Sequence, residues 1–521
     1  MTYAKTMQNP VPLKIHWAML IVAASLTTGM YNNPLCVYRE YIQNAADAID
    51  RAAFDEKRAI DDFEIRITLV PQDKLKRITV EDNGCGVSLR SAAKELLSLG
   101  NSQKSNDRER GFRGIGRLGG IAYCDTIVFT TKAKGETEET RVVWDCKKVQ
   151  QMLDRSNIHS RGIEVQQLIE KCVSVETPLS GRKKNESFFR VEMVGVRSAL
   201  GELLDYPKVA SYLAEHAPVP FDEQKLFFGS ELDAWLRGEV PNYNTYRIFI
   251  NDSLIKKPYA QTLPLREKKT DGLTHYEKFN IVDRQDKVIA RGWYGVRKDN
   301  IGQIASQQGI DSLRVRVGNI LIGDATLVDQ CFRESRFNGY LVGEIHIVSP
   351  MLVPNARRDD FEDSLMKSDF ISDVRRIVEP LAKKIRDDSK SKSNRKSIER
   401  AKTIITTASS QLTKGFVGDA AKRDQLSNFR SSKEELENLQ RKTSVPSKVK
   451  EAAEKHVEKL EELESKVQAA KPNLAKLSDS YSLKEREAIR MALEAVYSLY
   501  GKTGSAQELV NRAVEKLNRM R

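Results

Sequence analysis

The first 225 residues alternate between two hydrophobic patterns, one with a period of two and one with the period of a helix. Apolar residues at every second position predict β-strands. Four strand-like runs lie at 65–70, 78–82, 126–133 and 140–145. Helical spacing predicts α-helices at 38–50 and 91–99. Because these segments interleave, we expect a mixed sheet covered by helices on one side, in a domain spanning 1–225 that the proline-containing stretch 217–223 closes.

Residues 226–370 repeat this mixture and predict a second α/β domain. Its strand candidates lie at 246–252, 287–296, 313–323 and 340–348. The segment PMLVPNARRDDFED (350–363) follows the last of them and is typical of a loop that enters a helix. Two such domains followed by a helical tail would make the chain an α+β protein.

From residue 371 onward the composition is helical, which predicts a third domain, 371–521. Pro446 suits the first turn of a helix, and a heptad seam follows it. The seam positions are Val449, Ala453, His456, Leu460, Leu463 and Val467. So short a seam is compatible with an internal helical hairpin and with an intermolecular coiled coil. In either arrangement we interpret His456 as a half-buried packing residue.

The composition excludes several classes of protein. The chain has 521 residues, 40% hydrophobic and 30% charged, enough for about three domains. Its six cysteines show no CxxC spacing, which favours a reduced, cytoplasmic protein without structural zinc. The apolar run at 18–26 is shorter than the ~18 residues of a membrane span, so we expect no membrane partner. The helix at 38–50 follows too closely for a cleaved signal peptide.

Basic charge is concentrated in the predicted helical tail. Residues 375–521 contain 33 Lys and Arg against 21 Asp and Glu, a net charge of +12 of the +13 that the whole chain carries. The most basic run is 383–402. A solvated helix face is the simpler interpretation. The alternative is contact with nucleic-acid phosphates, which would make binding steeply dependent on salt.

The helix YREYIQNAADAID (38–50) carries Glu40, Asn44 and Asp47 on nearly one face. Asn44 offers a neutral oxygen to Mg²⁺, which favours oxygen ligands and completes its shell with water and phosphate. Glu40, one turn earlier, is the candidate for polarising a water aimed at a terminal phosphate. For Asp47 we favour packing or hydrogen bonding within the helix layer over metal ligation.

A strand in ITVEDNGCGV (78–87) ends at Asp82, and a turn with Gly84 and Gly86 follows it. Asp82 can accept a hydrogen bond from an exocyclic amine, which selects adenine over guanine. The two glycines would let the backbone approach a purine closely. The candidates for a hydroxyl that closes this pocket are Thr130 and Thr131.

The third segment, GFRGIGRLGG (111–120), is a glycine-rich loop that could lead into a helix. Its backbone N–H groups would bind phosphates, helped by a helix N-terminus. The glycines concerned are Gly111, Gly114 and Gly116. For Arg113 and Arg117, a solvated surface or a contact with the domain's own acids is as plausible as phosphate binding.

In order and spacing these segments resemble the GHKL, or Bergerat-fold, ATPases. That superfamily includes the ninety-kilodalton heat-shock chaperones, MutL, type II topoisomerases, histidine kinases and Microrchidia-type ATPases. YREYIQNAADAID resembles their E-x-x-x-N-A-x-D-A helix, and EDNGCG resembles D-x-G-x-G. The resemblance is strong over 35–135 and weaker to 225. It implies a Bergerat-type α/β sandwich, bound Mg²⁺ and ATP, and a mobile lid at 96–111. The lid and loop residues that it places near the nucleotide are Ser102, Lys104, Gly111, Gly114, Ile115 and Gly116.

The same resemblance suggests where a cation reaches the terminal phosphate. VPNARRDDFE (353–362) is similar to the P-L-N-x-S-R-E segment of the heat-shock chaperones, in a transducer-like second domain. Either Arg357 or Arg358 would then stabilise charge in the transition state. The alternative for Arg357 is a salt bridge within its own segment, to Asp359, Asp360 or Glu362. A phospho-accepting helix pair of the kinase type has no room upstream of the first motif, which favours hydrolysis.

The resemblance leads to two functional hypotheses. In the first, the protein is an ATP-driven homodimeric clamp acting on a protein or nucleic-acid client. In the second, it is a binding module with slow hydrolysis that controls an effector, such as a nuclease in a bacterial defence system. The sequence does not distinguish them.

Overall fold

The computed structural model describes residues 33–72, 74, 76–97, 116–152, 165–197, 201–267, 269–300, 302–306, 309–355, 357–443, 445–471, 477–500 and 506–520. The chain separates into two compact units, Met1–Ala382 and Lys383–Arg521. The described part of the first unit contains two β-sheets with helices, and that of the second is helical. The α+β class predicted from the sequence is therefore confirmed, whereas the domain boundaries at 225 and 370 stay predictions.

Eight strands of the described residues form the first sheet. They are β1 (Glu64–Val70), β2 (Arg77–Asp82), β3 (Thr126–Lys132), β4 (Thr140–Asp145), β5 (Val173–Glu176), β6 (Phe188–Val194), β7 (Arg247–Ile250) and β8 (Ser253–Leu254). Their order across the sheet is β5-β4-β3-β6-β2-β1-β7-β8. The pair β1–β7 is parallel and the other described pairs are antiparallel, so the sheet is mixed, as predicted.

Six α-helices are described in the first unit ahead of the long helix that begins at Leu365. They are α1 (Cys36–Glu56), α2 (Leu89–Leu97), α3 (Cys146–Met152), α4 (Val165–Cys172), α5 (Tyr206–His216) and α6 (Gly229–Glu239). Alternate residues of β1, including Ile65 and Ile67, lie in one apolar core with Ile42 and Ile49 of α1. The opposite face of the sheet carries charged groups, such as the ion pair between Glu81 and Arg190. This one-sided burial fixes which side chains of the strands face α1.

One strand has a different partner from the one that the sequence suggested. The candidate at 246–252 was grouped with the second domain, but β7 pairs in parallel with β1 of the first sheet. Hydrophobic periodicity indicates that a strand exists and says nothing about its neighbour. The position is fixed by tertiary contacts, because Asn244 and Tyr246 both donate to Asp50 of α1, at 3.0 and 2.6 Å.

The second sheet contains six strands among the described residues. They are β9 (Thr262–Pro264), β10 (Thr270–Val282), β11 (Val288–Arg297), β12 (Ser312–Val317), β13 (Ile320–Ile322) and β14 (Val342–Ile347), in the order β13-β12-β14-β11-β10-β9. The single strand expected at 313–323 is instead a hairpin, β12–β13. Its turn residues Gly318 and Asn319 have φ values of 53° and 63°, the left-handed conformation that a two-residue turn requires.

The remaining described helices are α7 (Leu365–Lys414), α8 (Asp419–Arg441), α9 (Ser447–Ala469), α10 (Leu483–Tyr500) and α11 (Ala506–Arg519). The ion pairs Lys433–Glu461 and Arg430–Glu464 show that α8 and α9 run antiparallel. The predicted heptad seam lies on α9, and four of its positions are buried in this unit's own core: Ala453, Leu460, Leu463 and Val467. The seam thus serves an internal hairpin. His456 is half-buried, as expected.

Candidate functional site

The helix α1 carries the predicted metal and water-activating residues. Most of its residues from 37 to 49 are buried, whereas Glu40 and Asn44, one turn apart, are half-buried. Asp47 is buried, with 3% of its surface exposed. Between residues 37 and 49, the side chains of Glu40 and Asn44 therefore form the accessible stripe of the helix, and its other faces are packed. A carboxylate and a carboxamide oxygen on such a stripe fit the ligand chemistry of hydrated Mg²⁺.

Asp82 is at the end of β2, on the sheet face that looks toward α1. Its side chain is buried, and Oδ1 accepts a hydrogen bond of 3.0 Å from the N–H of Gly84. Burial is the main cause that raises the pKa of this carboxyl to about 8, partly offset by the Gly84 N–H. A buried carboxyl with so high a pKa is a common mark of a functional site, and it suits a group that meets a polar ligand.

The turn after Asp82 is pressed between α1 and β3. A Cβ on Gly84 would lie 2.8 Å from the carbonyl carbon of Ala48, and a Cβ on Gly86 would lie 2.2 Å from the carbonyl oxygen of Lys132. Gly86 also has φ +62°. The N–H of Cys85 donates to the Ala48 carbonyl at 3.2 Å. The chain's own packing therefore requires both glycines, and their predicted close approach to a purine stays a prediction.

The two candidate threonines lie on opposite faces of the sheet. Asp82 and Thr131 are both directly paired with Phe189 of β6, so all three side chains share the face toward α1. Glu81 and Thr130 are both paired with Arg190, on the other face. The hydroxyl of Thr131 accepts from Val87 N–H at 2.9 Å and donates to Phe188 carbonyl at 3.0 Å. Of the two, Thr131 is thus the one that accompanies Asp82.

The segment 353–362, hereafter the sensor loop, comes from the second-sheet region and contacts α1. Arg39 donates to the carbonyl of Arg357 at 3.2 Å, and the Arg358 guanidinium donates to the side-chain oxygen of Gln43. Arg39 also forms an ion pair of 3.3 Å with Glu40. The loop therefore lies on the face of α1 next to the stripe of Glu40 and Asn44.

The conformation of the sensor loop is fixed internally. Asn355 N–H donates to the Asp360 carbonyl at 2.8 Å, Glu362 N–H donates to the Val353 carbonyl at 2.8 Å, and Arg358 has φ +56°. The Arg357 side chain is exposed. Within the described residues it forms no ion pair with the three acids of its own segment, which were the alternative partners considered above.

Several predicted residues lie outside the described part of the chain. They are Ser102, Lys104, Gly111, Arg113, Gly114 and Ile115, together with most of the expected lid. Gly116 is described and begins the 3₁₀-helix Gly116–Tyr123. In that helix a Cβ on Gly120 would lie 2.4 Å from the hydroxyl of Tyr41, so the segment packs closely against α1.

Three contributors to this site had not been identified from the sequence. Arg39 and Gln43 look like ordinary helix residues until the sensor loop contacts them. Ser187 donates to the Gly84 carbonyl at 2.7 Å from the start of β6, the strand between β2 and β3. The alternating apolar residues of FFRVEMV (188–194) were a signal that could have revealed that strand.

Comparison with known proteins agrees with this geometry. Residues 34–174 match the family model for histidine kinase-, DNA gyrase B- and HSP90-like ATPases. The chaperone protein HtpG of Psychrobacter arcticus is 32% identical over 161 residues, 26% of this chain and 24% of the chaperone. HtpG of Legionella pneumophila (strain Lens) is 27% identical over 135 residues, 23% of this chain and 22% of the chaperone.

The matched region is the one that carries α1, Asp82 and the glycine turn, and it spans about a quarter of the chaperones' length. The predicted resemblance of this region to GHKL ATPases of the Hsp90 type is confirmed, and with it a resemblance to ATP-binding proteins. Among the described residues, no helix has both the length and the apolar character needed to cross a bilayer.

Proposed function

We propose that this protein is a Mg²⁺-dependent ATPase whose nucleotide lies between α1 and the first sheet. The observation that carries the proposal is the contact of the sensor loop with Arg39 and Gln43. It brings a cationic segment from a separate sheet to the helix that carries Glu40 and Asn44. A nucleotide bound against that stripe would lie between groups from two parts of the chain, as a hydrolytic site for a terminal phosphate requires.

We assign roles as follows, and for the described residues the surroundings support them. Asp82 accepts from the adenine amine, Thr131 closes the pocket on the same face, and Gly84 and Gly86 shape the turn. Asn44 supplies an oxygen to Mg²⁺, which when bound neutralises phosphate charge. Glu40 orients and polarises the attacking water. The residues proposed for the phosphates and the lid are Ser102, Lys104, Gly111, Gly114, Ile115 and Gly116.

Between the two arginines, we assign contact with the terminal phosphate to Arg358. Its guanidinium is already on α1 at Gln43, adjacent to Asn44 in the sequence. Arg357 contributes a carbonyl to the loop's attachment, while its side chain is exposed. A guanidinium fixed by its neighbours stabilises transition-state charge without reorganising, by ~10³-fold or more in rate for arginine fingers. We expect Arg358→Ala to lower turnover far more than Arg357→Ala.

The proposed cycle is that of a nucleotide-gated clamp. ATP binding draws the lid over the phosphates and favours association of two nucleotide domains, and hydrolysis reopens the homodimer. In a rigid-body switch of this kind, the change from bound ATP to bound ADP would move the second sheet through its sensor loop. The client would be a protein, by analogy with the HtpG chaperones that the first region resembles. The alternative remains a module with slow hydrolysis that regulates a partner effector.

Glu40→Ala tests the enzymatic part of this proposal. The matched control is Glu56→Ala on the same helix, since the two side chains are 12% and 19% exposed. We expect Glu40→Ala to lose ATP turnover while binding ATP as the parent does, and Glu56→Ala to retain both. Unchanged turnover in Glu40→Ala would exclude the assigned mechanism. A mass that does not depend on a non-hydrolysable ATP analogue would exclude the clamp.

One observation favours a nucleic-acid client as a second candidate. Six cations of the basic run form no ion pair among the described residues: Lys383, Lys384, Lys390, Lys392, Arg395 and Lys396. On α8 and α9, Lys433, Lys459 and Lys466 are each paired with a glutamate. Turnover measured with duplex DNA, RNA or a denatured protein distinguishes the clients. Stimulation by nucleic acid that weakens steeply with salt would select this candidate.

A further inference from the structure

The β12–β13 hairpin holds the sensor loop by its backbone. The strand β13 ends at Ile322, and the next N–H, that of Gly323, donates to the Arg358 carbonyl at 2.8 Å. Gly323 has φ +65°, and a Cβ there would lie 2.8 Å from the carbonyl oxygen of Asp359. The hairpin and the loop are therefore in direct backbone contact at the residue that we assign to the phosphate.

The turn of the same hairpin is tied to α1. Asn319 is fully buried, and its Nδ2 donates to the Asn244 carbonyl at 3.0 Å. The side chain of Asn244 in turn donates to Asp50 of α1 at 3.0 Å, and Tyr246 donates to the same carboxylate oxygen. Two hydrogen-bonded steps thus join the hairpin turn to the helix that carries Glu40 and Asn44.

A buried ionic cluster supports the hairpin from the other side. The Arg316 guanidinium of β12 pairs with Glu344, donates to the carbonyl of Asn319 at 3.2 Å, and donates to the Glu215 carbonyl of α5 at 2.7 Å. Lys257 also pairs with Glu344, at 2.7 Å, and both side chains are fully buried. Because removing one partner of a buried ion pair is strongly destabilising, this cluster gives the hairpin a fixed base.

We propose that Asn319 is a positioning residue for ATP hydrolysis, an inference that rests on the proposed function. Asn319 contacts neither nucleotide nor phosphate. It holds the hairpin in a fixed position relative to α1, and the hairpin in turn holds Arg358 in a fixed position relative to Glu40 and Asn44. The site's two halves are thereby joined at two places, at the loop itself and at this buried turn. Misplacing a reacting group by about 1 Å can cost 10²-fold in rate, so a loosened turn would reduce catalysis more than binding.

Asn319→Gly tests the proposal. Glycine accepts the left-handed turn and keeps the backbone carbonyl for Arg316, but removes the donor to Asn244. The matched control is Asn251→Gly in the turn between β7 and β8. Asn251 also has positive φ, 44°, and its side chain also bonds a neighbouring backbone group, Leu69 N–H at 2.8 Å. That turn belongs to the other sheet and has no contact with the sensor loop among the described residues.

We expect Asn319→Gly to lower kcat by about tenfold or more, with KM and ATP affinity within about twofold of the parent. Asn251→Gly should leave kcat unchanged. In the Arg358→Ala background, Asn319→Gly should cause no further loss, because it acts through Arg358. If Asn319→Gly does not fold, as judged by thermal denaturation, Asn244→Ala breaks the next step of the same link, the bond to Asp50, and leaves the hairpin turn unchanged.

The outcomes separate this inference from the proposed function. A parent protein that does not turn over ATP contradicts both. A parent that does, with an Asn319 variant of equal kcat, contradicts the positioning role alone. Losses that multiply in the double variant also contradict it, since they would show that Asn319 acts independently of Arg358.

Discussion

If Asp82 accepts from adenine as proposed, we expect nucleotide binding to be linked to the release of a proton from this carboxyl group. Its burial raises the carboxyl pKa to about 8, so at pH 7 about nine tenths of the free protein holds it protonated. The assigned role has Asp82 ionised in the complex, because a carboxylate accepts a hydrogen bond from the adenine amine more strongly than a neutral carboxyl group does. Binding at pH 7 should therefore release about 0.9 proton from this group, falling to about 0.1 at pH 9. Affinity should weaken by about tenfold for each pH unit below 8.

Titration calorimetry with Mg²⁺ and ADP, which is not hydrolysed, measures this release in two buffers of different ionisation enthalpy. The phosphates titrate as well, so the informative quantity is the difference from Asp82→Asn, whose amide does not ionise. Glu81→Gln is the matched control on the same strand, because its side chain is on the opposite face. It should still release protons, somewhat fewer than the parent, because the Glu81 charge is a minor cause of the raised pKa of Asp82.

The sign of the stability effect provides an independent check. The folded-state pKa lies above the unfolded value of 3.8, so the folded protein holds one more proton than the unfolded chain between about pH 4 and 8. Relative to Asp82→Asn, the parent should lose stability as the pH rises through that window. No extra proton release at pH 7 and no such pH trend would refute the assigned role of Asp82.

Three further predictions concern stability and affinity. Gly86→Ala should cost more than about 2 kcal/mol in urea denaturation, from its left-handed φ and the clash with a backbone carbonyl, whereas Gly181→Ala, with open space around it, should be nearly neutral. Thr131→Val should cost about 1–3 kcal/mol and weaken ATP binding, because the half-buried Val87 N–H and the buried Phe188 carbonyl lose their partner, and Thr130→Val should cost less. Burial lowers the pKa of His346 to about 4, so the unfolded chain binds one more proton between pH 6.5 and 4 and stability falls as the pH falls there. His346→Gln should reduce that loss of unfolding free energy by roughly 3 kcal/mol. Equal pH dependence of stability in the parent and the variant would contradict the assignment.

Local sequence pattern was enough to predict the elements that carry the candidate residues. The helix predicted at 38–50 is the central part of α1, and the strand predicted at 78–82 is β2. Both follow from periodic burial, since Ile78, Val80 and Asp82 alternate on one buried face. The same alternation puts Asp82 on the side of α1, whereas its candidate role had been suggested by its place at a strand end before the glycine turn.

Contacts between distant segments could not be predicted in this way. The sequence suggested a cation in 353–362, but the docking of Arg358 on Gln43 joins residues 315 positions apart. The strand 246–252 was recognised, but its partner β1 was not, because register and partner depend on tertiary contacts such as those of Asp50. The choice between Thr130 and Thr131 likewise needed the pairing of both strands with β6.

The central claim is that one pocket, between α1 and the first sheet, selects adenine nucleotides. Equilibrium dialysis of the full chain against labelled ATP and Mg²⁺ tests it most directly. The account predicts one saturable site per chain that ADP displaces, that GTP does not, and that Asp82→Ala removes. Absence of saturable binding, or equal displacement by GTP, would contradict it.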